Sequence, residues 1–129
     1  MPHLIYEYTD NLGNDADIAG LLRKSNQVLI DQGGVFPIGG IRSRAIRLSD
    51  YCVADGSADD AFVHATLKVG AGRSEAALRK AGDELFEMIK AHFADIFARR
   101  GLALSMEISE FSEAGTWKQN NIHARYGKA

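Results

Sequence analysis

Proline at position 2 has the least ordinary chemistry to offer in this chain. Inside a polypeptide its nitrogen is a tertiary amide with neither a proton nor basicity. At a chain terminus it is a secondary amine held rigidly by its ring. Met1 precedes a residue small enough for bacterial-type processing to remove it, so the working chain is expected to begin at Pro2. An α-amino group titrates near about 8, and burial or neighbouring cations lower that value toward a free base at neutral pH. Cations are at hand. Arg42 and Arg44 alternate along one strand-like run, and Arg73 follows Gly70-Ala71-Gly72 at the opening of a helix. A glycine turn leading into a helix offers backbone N–H groups and a helix dipole to an anion. Each feature also has a plain structural reading. Pro2 follows a start residue, glycines make turns, and arginines pair with some of the 17 carboxylates. The turn is not a Walker A loop, because no Lys-Ser/Thr follows it, and it lacks the third glycine of a dinucleotide fingerprint.

The remaining chemistry-bearing residues are sparse. His3, His64, His92 and His123 show no metal-ligand spacing, so no metal site is expected. His92 falls on a helical apolar stripe and reads as a satisfied core residue. His64 alternates with Phe62 and Thr66 on a strand and is a candidate to face a pocket. No Ser-His-Asp or Cys-His arrangement can be placed. The single cysteine, Cys52, excludes an intramolecular disulfide and fits a reducing compartment, so a cytoplasmic setting is expected. Net charge of −2 gives no reason to expect nucleic acid or an anionic membrane surface. No apolar run approaches the ~20 residues that cross a bilayer, and no signal peptide precedes the first strand. Trp117-Lys118-Gln119-Asn120-Asn121 reads either as a polar segment closing over a neighbouring surface or as an exposed tail.

The elements that must position these groups follow from periodicity. Residues 3–8 alternate, with Leu4, Tyr6 and Tyr8 on one face, and form strand one. A turn cluster follows, with Asn14 as a candidate cap for an amphipathic helix over 15–31 carried by Ile18, Leu21, Leu22, Ser25, Val28 and Leu29. Strand two spans 41–48 and sets Arg42, Arg44, Ile46 and Leu48 on one face. Residues 49–60 link two halves as a hairpin or loop. Strand three spans 61–69, buried through Val63, Ala65, Leu67 and Val69. Ser74 caps a helix over 75–99, strand four covers 102–108, and residues 110–129 form a C-terminal segment that frays at its end. The plan is a single 129-residue domain of the α/β (α+β two-layer) class. Two β-α-β units, 3–48 and 61–109, build a four-stranded mixed sheet with two helices on one face. A two-layer domain cannot cover the second sheet face, whose strands are also partly apolar, so oligomerisation through it is expected.

As a set, Met1-Pro2-His3, Ile41-Arg42-Ser43-Arg44, Ala61-Phe62-Val63-His64, Gly70-Ala71-Gly72-Arg73-Ser74 and Lys118-Gln119-Asn120-Asn121-Ile122-His123 resemble the 5-carboxymethyl-2-hydroxymuconate Δ-isomerase family. That family belongs to the tautomerase superfamily, with 4-oxalocrotonate tautomerase and macrophage migration inhibitory factor as relatives. The resemblance spans residues 2 to about 123. It implies a tandem β-α-β fold, a homotrimer with the sheets wrapped inside, no cofactor, and Pro2 as catalytic base. The implied reaction is a proton shift along a conjugated dienol tricarboxylate in homoprotocatechuate breakdown. Arg42 and Arg73 would bind carboxylate and enolate, with Arg44 and His64 as further substrate contacts and Phe36 and Ile38 as an apolar pocket wall. Two rivals stay open: a tautomerase of another 2-hydroxydienoate or enol-pyruvate, and a non-enzymatic trimeric module that binds anions or a partner.

Overall fold

The computed structural model describes residues 1–127; the last two residues of the expected C-terminal segment, Lys128 and Ala129, lie outside the described residues. The chain runs β1 (His3–Thr9), 3-10 turns (Asp10–Ala16), α1 (Ile18–Ile30), a 3-10 turn (Ile38–Gly40), β2 (Arg42–Leu48), β3 (Ala61–Gly70), α2 (Glu75–His92), α3 (Ala94–Arg99), β4 (Leu102–Phe111) and a last 3-10 turn (His123–Tyr126). The sheet order is β2-β1-β3-β4. β1 pairs with β2, and β3 with β4, in parallel, as helical crossovers require, while β1 and β3 meet antiparallel. The mixed sheet of two β-α-β units is the architecture that the periodicity predicts.

Strand period two divides the sheet. Leu4, Tyr6, Val63, Ala65, Leu67 and Val69 are buried and face the helices, where they meet Leu21, Leu29, Leu85 and Ile89 in one core. Tyr6 keeps its hydroxyl satisfied inside that core. It donates to Ser25 Oγ at 2.7 Å, and Ser25 donates onward to Leu21 O at 2.7 Å. Burial pushes the Tyr6 phenol up to about 12. The opposite face carries Arg44, Ile46, Phe62, His64, Thr66 and Glu107 with no helical layer over it among the described residues, and Ile46 is 47% exposed.

Four local expectations are corrected. The first helix starts at Ile18, not residue 15, and its cap is Asp17 rather than Asn14. Residues 10–16 wind as 3-10 turns broken at Gly13, and Asp17 (φ 44°) takes the left-handed conformation while its carboxylate accepts from Gly20 N at 3.2 Å. Asp17→Ala loses the cap and leaves a Cβ-bearing residue without local hydrogen bonding at positive φ. We expect a cost of about 2 kcal/mol, whereas Asp17→Gly costs only a few tenths; denaturant midpoints check this.

The helix expected over 75–99 bends at Phe93 (φ −100°, ψ 12°) into α2 and α3. The bend keeps Phe93 and Ile96 in the core. His92 is half-buried at the end of α2 rather than within the core. It donates Nε2–H to Ala16 O at 2.8 Å and takes Lys24 Nζ on Nδ1 at 3.1 Å, so it is satisfied and bridges the two β-α-β units.

Of the two forms expected for the 49–60 link, hairpin or loop, residues 51–54 take the loop. They loop through Ala54 at φ 54°, tied by Tyr51 Oη donating to Asp10 Oδ1 at 3.3 Å. Finally, β4 runs on to Phe111, pairing with Gly70, three residues beyond the expected end. Among the described residues, no helix is long and apolar enough to cross a membrane.

Candidate active site

The pairing places the chemistry at one end of the sheet. β1 and β2 begin there in parallel, with His3 opposite Arg42, while β3 and β4 end there, with His3 also opposite Lys68 and Gly70 opposite Phe111. The chain start, the head of β2, the Gly70–Arg73 turn and the segment after β4 therefore converge. They enclose a cavity of about 390 Å3, with Met1, Arg42, Arg73, Phe111, Glu113 and Lys118 in its wall. A larger, more open groove of about 720 Å3 runs between α2 and β4, but no amine terminus or cluster of cations faces it.

Pro2 lies buried under Met1, its carbonyl accepting from Arg42 N at 3.3 Å to extend the β1–β2 ladder. The Pro2 nitrogen lies one residue along the chain from the Met1 amine, about 3.8 Å or less away, and Met1 itself lines the cavity. The field there is cationic. The Met1 amine is held below its ordinary value of 8.0, first by burial, then by Arg73, Lys118 and Arg42, against a smaller opposing pull from Glu113. His3 is likewise depressed by burial and then by Arg44 and Arg42; Arg44 Nη1 donates to its Nδ1 at 3.2 Å, which holds the ring as the Nε2–H tautomer.

Arg73 is a built residue. Its Nε donates to Val35 O at 3.1 Å, its Nη1 to Gly70 O at 3.2 Å, and its guanidinium lies 4.8 Å from the centre of the Phe36 ring. These contacts fix the plane of the fork and leave Nη2 for a ligand. Among the described residues, no carboxylate lies within 4 Å of Arg42, Arg44, Arg73 or Lys118, so the surface-pairing reading does not apply to them. At the glycine turn, Ala71 N is used by Phe111 O at 3.0 Å and Ala77 N by the Ser74 cap at 3.1 Å, while Gly70 and Ala71 line the cavity beside Arg73.

A family model for 5-carboxymethyl-2-hydroxymuconate isomerase matches residues 2–126. The chain belongs to that family. A 5-carboxymethyl-2-hydroxymuconate Delta-isomerase of Escherichia coli is 48% identical over 126 residues, covering 98% of this chain and 99% of the relative. The crystal structure of a 5-carboxymethyl-2-hydroxymuconate isomerase from Deinococcus radiodurans R1 superposes with a TM-score of 0.93 at 60% identity, over 97% of this chain and 93% of that one. A fused 4-OT symmetric trimer shares the fold at 15% identity, with a TM-score of 0.64 over 91% of this chain and 93% of that one. The fold is that of the tautomerase superfamily.

Of the site residues expected for this family member, Arg42 and Arg73 line the cavity, while Pro2 is buried next to Met1, which lines it. Arg44 stands beside it, lining a neighbouring hollow with His3, Lys68 and Trp117. Phe36 is buried and supports Arg73 from behind instead of forming a wall. Ile38 sits in the 3-10 turn and does not line the cavity. His64 is on the open face, donating Nε2–H to Glu107 Oε1 at 2.8 Å with Nδ1 2.7 Å from Ser105 Oγ, and it does not reach the cavity.

Sequence reasoning did not single out Glu113, Phe111 or Lys118, which line the cavity. All three lie at or beyond the end of β4, where no periodicity assigns a face. The available signal was the polar run around Trp117, which does close over the site. Asn120 Nδ2 donates to Gly39 O at 2.9 Å, and a Cβ on Gly39 would stand 2.7 Å from His123 Cα. Gly39→Ala must therefore displace this segment. We expect a loss of roughly 10- to 100-fold in kcat/KM with little change in thermal midpoint, read by steady-state kinetics beside a melting curve.

Proposed function

We propose that this protein is a cofactor-free isomerase converting 5-carboxymethyl-2-hydroxymuconate to 5-oxopent-3-ene-1,2,5-tricarboxylate. The observation that carries the proposal is the convergence of the chain-terminal amine with Arg42, Arg73 and Lys118 in one cavity holding a single carboxylate, Glu113. Three cations suit a substrate with three carboxylates. The surroundings that depress the Met1 amine lie one residue from Pro2 and suit a base that must both take and return a proton near neutral pH.

In the reaction, the proton of the 2-hydroxyl leaves, the electron pair moves through the diene, and the carbon bearing the carboxymethyl group gains a proton. Composition is unchanged. Pro2, exposed by loss of Met1, is the group that carries the proton between these positions. Arg73, with its plane fixed by Val35 O and Gly70 O, stabilises the enolate oxygen as charge develops, and Arg42 grips a carboxylate. Arg44 is a weaker contact at the rim.

The working form is a homotrimer in the cytoplasm, closed through the open sheet face. That reading is supported by the uncovered Ile5, Ile46 and Phe62 on the face and by a fold neighbour described as a symmetric trimer. The test is intact-protein mass of material from its natural host, followed on the same sample by an ultraviolet assay of dienol isomerisation. Loss of the Met mass with rapid turnover supports the proposal. Retained Met with no turnover would turn the reading to an anion-binding module, and turnover only on other 2-hydroxydienoates would change the substrate while keeping the chemistry.

A further inference from the structure

The segment after β4 is shaped to deliver one side chain. It leaves the sheet at Phe111, turns through Ser112–Thr116 with Gly115 N on Ser112 O and Thr116 N on Glu113 O at 3.3 Å each, and is pinned again where Asn120 reaches Gly39 O. Asn120 Oδ1 accepts from Ile122 N at 2.7 Å, so the same side chain holds the strap to the core and fixes its next turn. Lys118 lies between these two anchored points and in the wall of the cavity. Its ammonium has no carboxylate within 4 Å among the described residues. A cation placed by a strap, kept without a partner, and set beside two arginines has the arrangement of a ligand contact.

We propose that Lys118 is the specificity-determining residue for a substrate carboxylate that Arg42 and Arg73 do not hold, delivered by the C-terminal strap while Arg42 and Arg73 are delivered by the β-α-β framework. The inference rests on the isomerase reading for its substrate, but not for its binding test. Two guanidinium groups match two carboxylates or one carboxylate and an enolate; a tricarboxylate in the same cavity needs a further cation. The groups facing the terminal amine are His3 from β1, Arg42 from β2, Arg73 from the turn before α2, and Lys118 and Glu113 from the strap. Among them Lys118 is one of the three cations that depress the amine, so it also helps to keep the base unprotonated.

The experiment uses the Pro2-start protein, Lys118→Met and Lys118→Arg, titrated calorimetrically with propane-1,2,3-tricarboxylate and with glutarate. The parent is expected to prefer the tricarboxylate. Lys118→Met should lose about 10-fold in tricarboxylate affinity with little change for glutarate, and Lys118→Arg should recover most of it. In turnover, Lys118→Met should raise KM more than it lowers kcat. The acid limb of kcat/KM should move to higher pH, because a cation that opposed protonation of the amine is gone. Unchanged tricarboxylate affinity in Lys118→Met would overturn the inference, as would an equal loss for both ligands. A parent that discriminates the two acids through Lys118 yet never isomerises the dienol would instead overturn the isomerase reading and leave this inference standing.

Discussion

Protein that begins at Pro2 is expected to isomerise the dienol acid at least about 100-fold faster than protein that keeps Met1, the smaller end of what a positioned general base contributes. With Met1 in place the nitrogen of Pro2 is an amide. The terminal amine at the cavity is then the primary amine of Met1, displaced by one residue and not held in a ring. Displacement of a reacting group by even about 1 Å can cost 100-fold. Pro2→Ala, processed to the same length, should fall by a similar factor, because a primary amine returns without the rigid placement. The pH dependence has a definite sign. The amine must be unprotonated to act, so kcat/KM rises with pH through its midpoint and levels above it. Burial, Arg73, Lys118 and Arg42, against Glu113, hold the Met1 amine below its ordinary 8.0, and the same groups lie one residue from Pro2, so its midpoint is expected below the ordinary terminal value. Equal rates from the Met1 and Pro2 forms, or a midpoint above 8.0, would be incompatible with a Pro2 base in this field.

Replacing Arg73 should produce the second large effect. Arg73→Gln is expected to lower kcat/KM by roughly 100- to 1,000-fold, the loss typical of removing one preorganised donor to a developing oxyanion. Arg73→Lys should not restore the rate. A lysine cannot donate to Val35 O and Gly70 O in the plane of a fork and still present a further N–H to substrate. Nor can it lie flat on Phe36 in the same way. The same contacts staple the loop after α1 to the turn before α2, so melting curves must accompany the kinetics. A variant that melts lower but keeps its rate would make Arg73 a structural staple only. Arg42→Ala, by contrast, should act chiefly on KM if its partner is a carboxylate that carries the same charge in the ground and transition states.

Much of the fold was legible because burial on one sheet face writes itself into alternation. Val63, Ala65, Leu67 and Val69 are buried as their spacing requires, and Ser74 caps α2 as its position suggests. Local exceptions were not legible. Asp17 became the cap by entering a left-handed conformation that a side chain normally avoids, and the bend at Phe93 depends on packing from both directions rather than on any breaker residue. At the site, Pro2, Arg42 and Arg73 stand out by their chemistry and by what the family resemblance implies. Lys118 and Glu113 do not stand out, because a segment without periodicity is positioned only by what it touches, here Gly39 through Asn120 and His123. His64 illustrates the converse. It has suitable chemistry on a strand, yet its register sets it beside Ser105 and Glu107, away from the cavity.

The amino-acid sequence by itself determined the order of elements, the face each strand buries, and the supply of one terminal amine and several cations. Only the tertiary structure decided that β3 lies antiparallel beside β1, giving the order β2-β1-β3-β4. That choice brings the starts of β1 and β2 to the ends of β3 and β4, and it gathers residues as far apart as Met1, Arg42, Arg73 and Lys118 around one cavity. The physical reason is that apolar periodicity encodes which side of a strand leaves water, whereas backbone N–H and C=O groups are the same on every strand. Neighbours are therefore selected by packing of the whole core and by the handedness of the crossovers, not by any local signal.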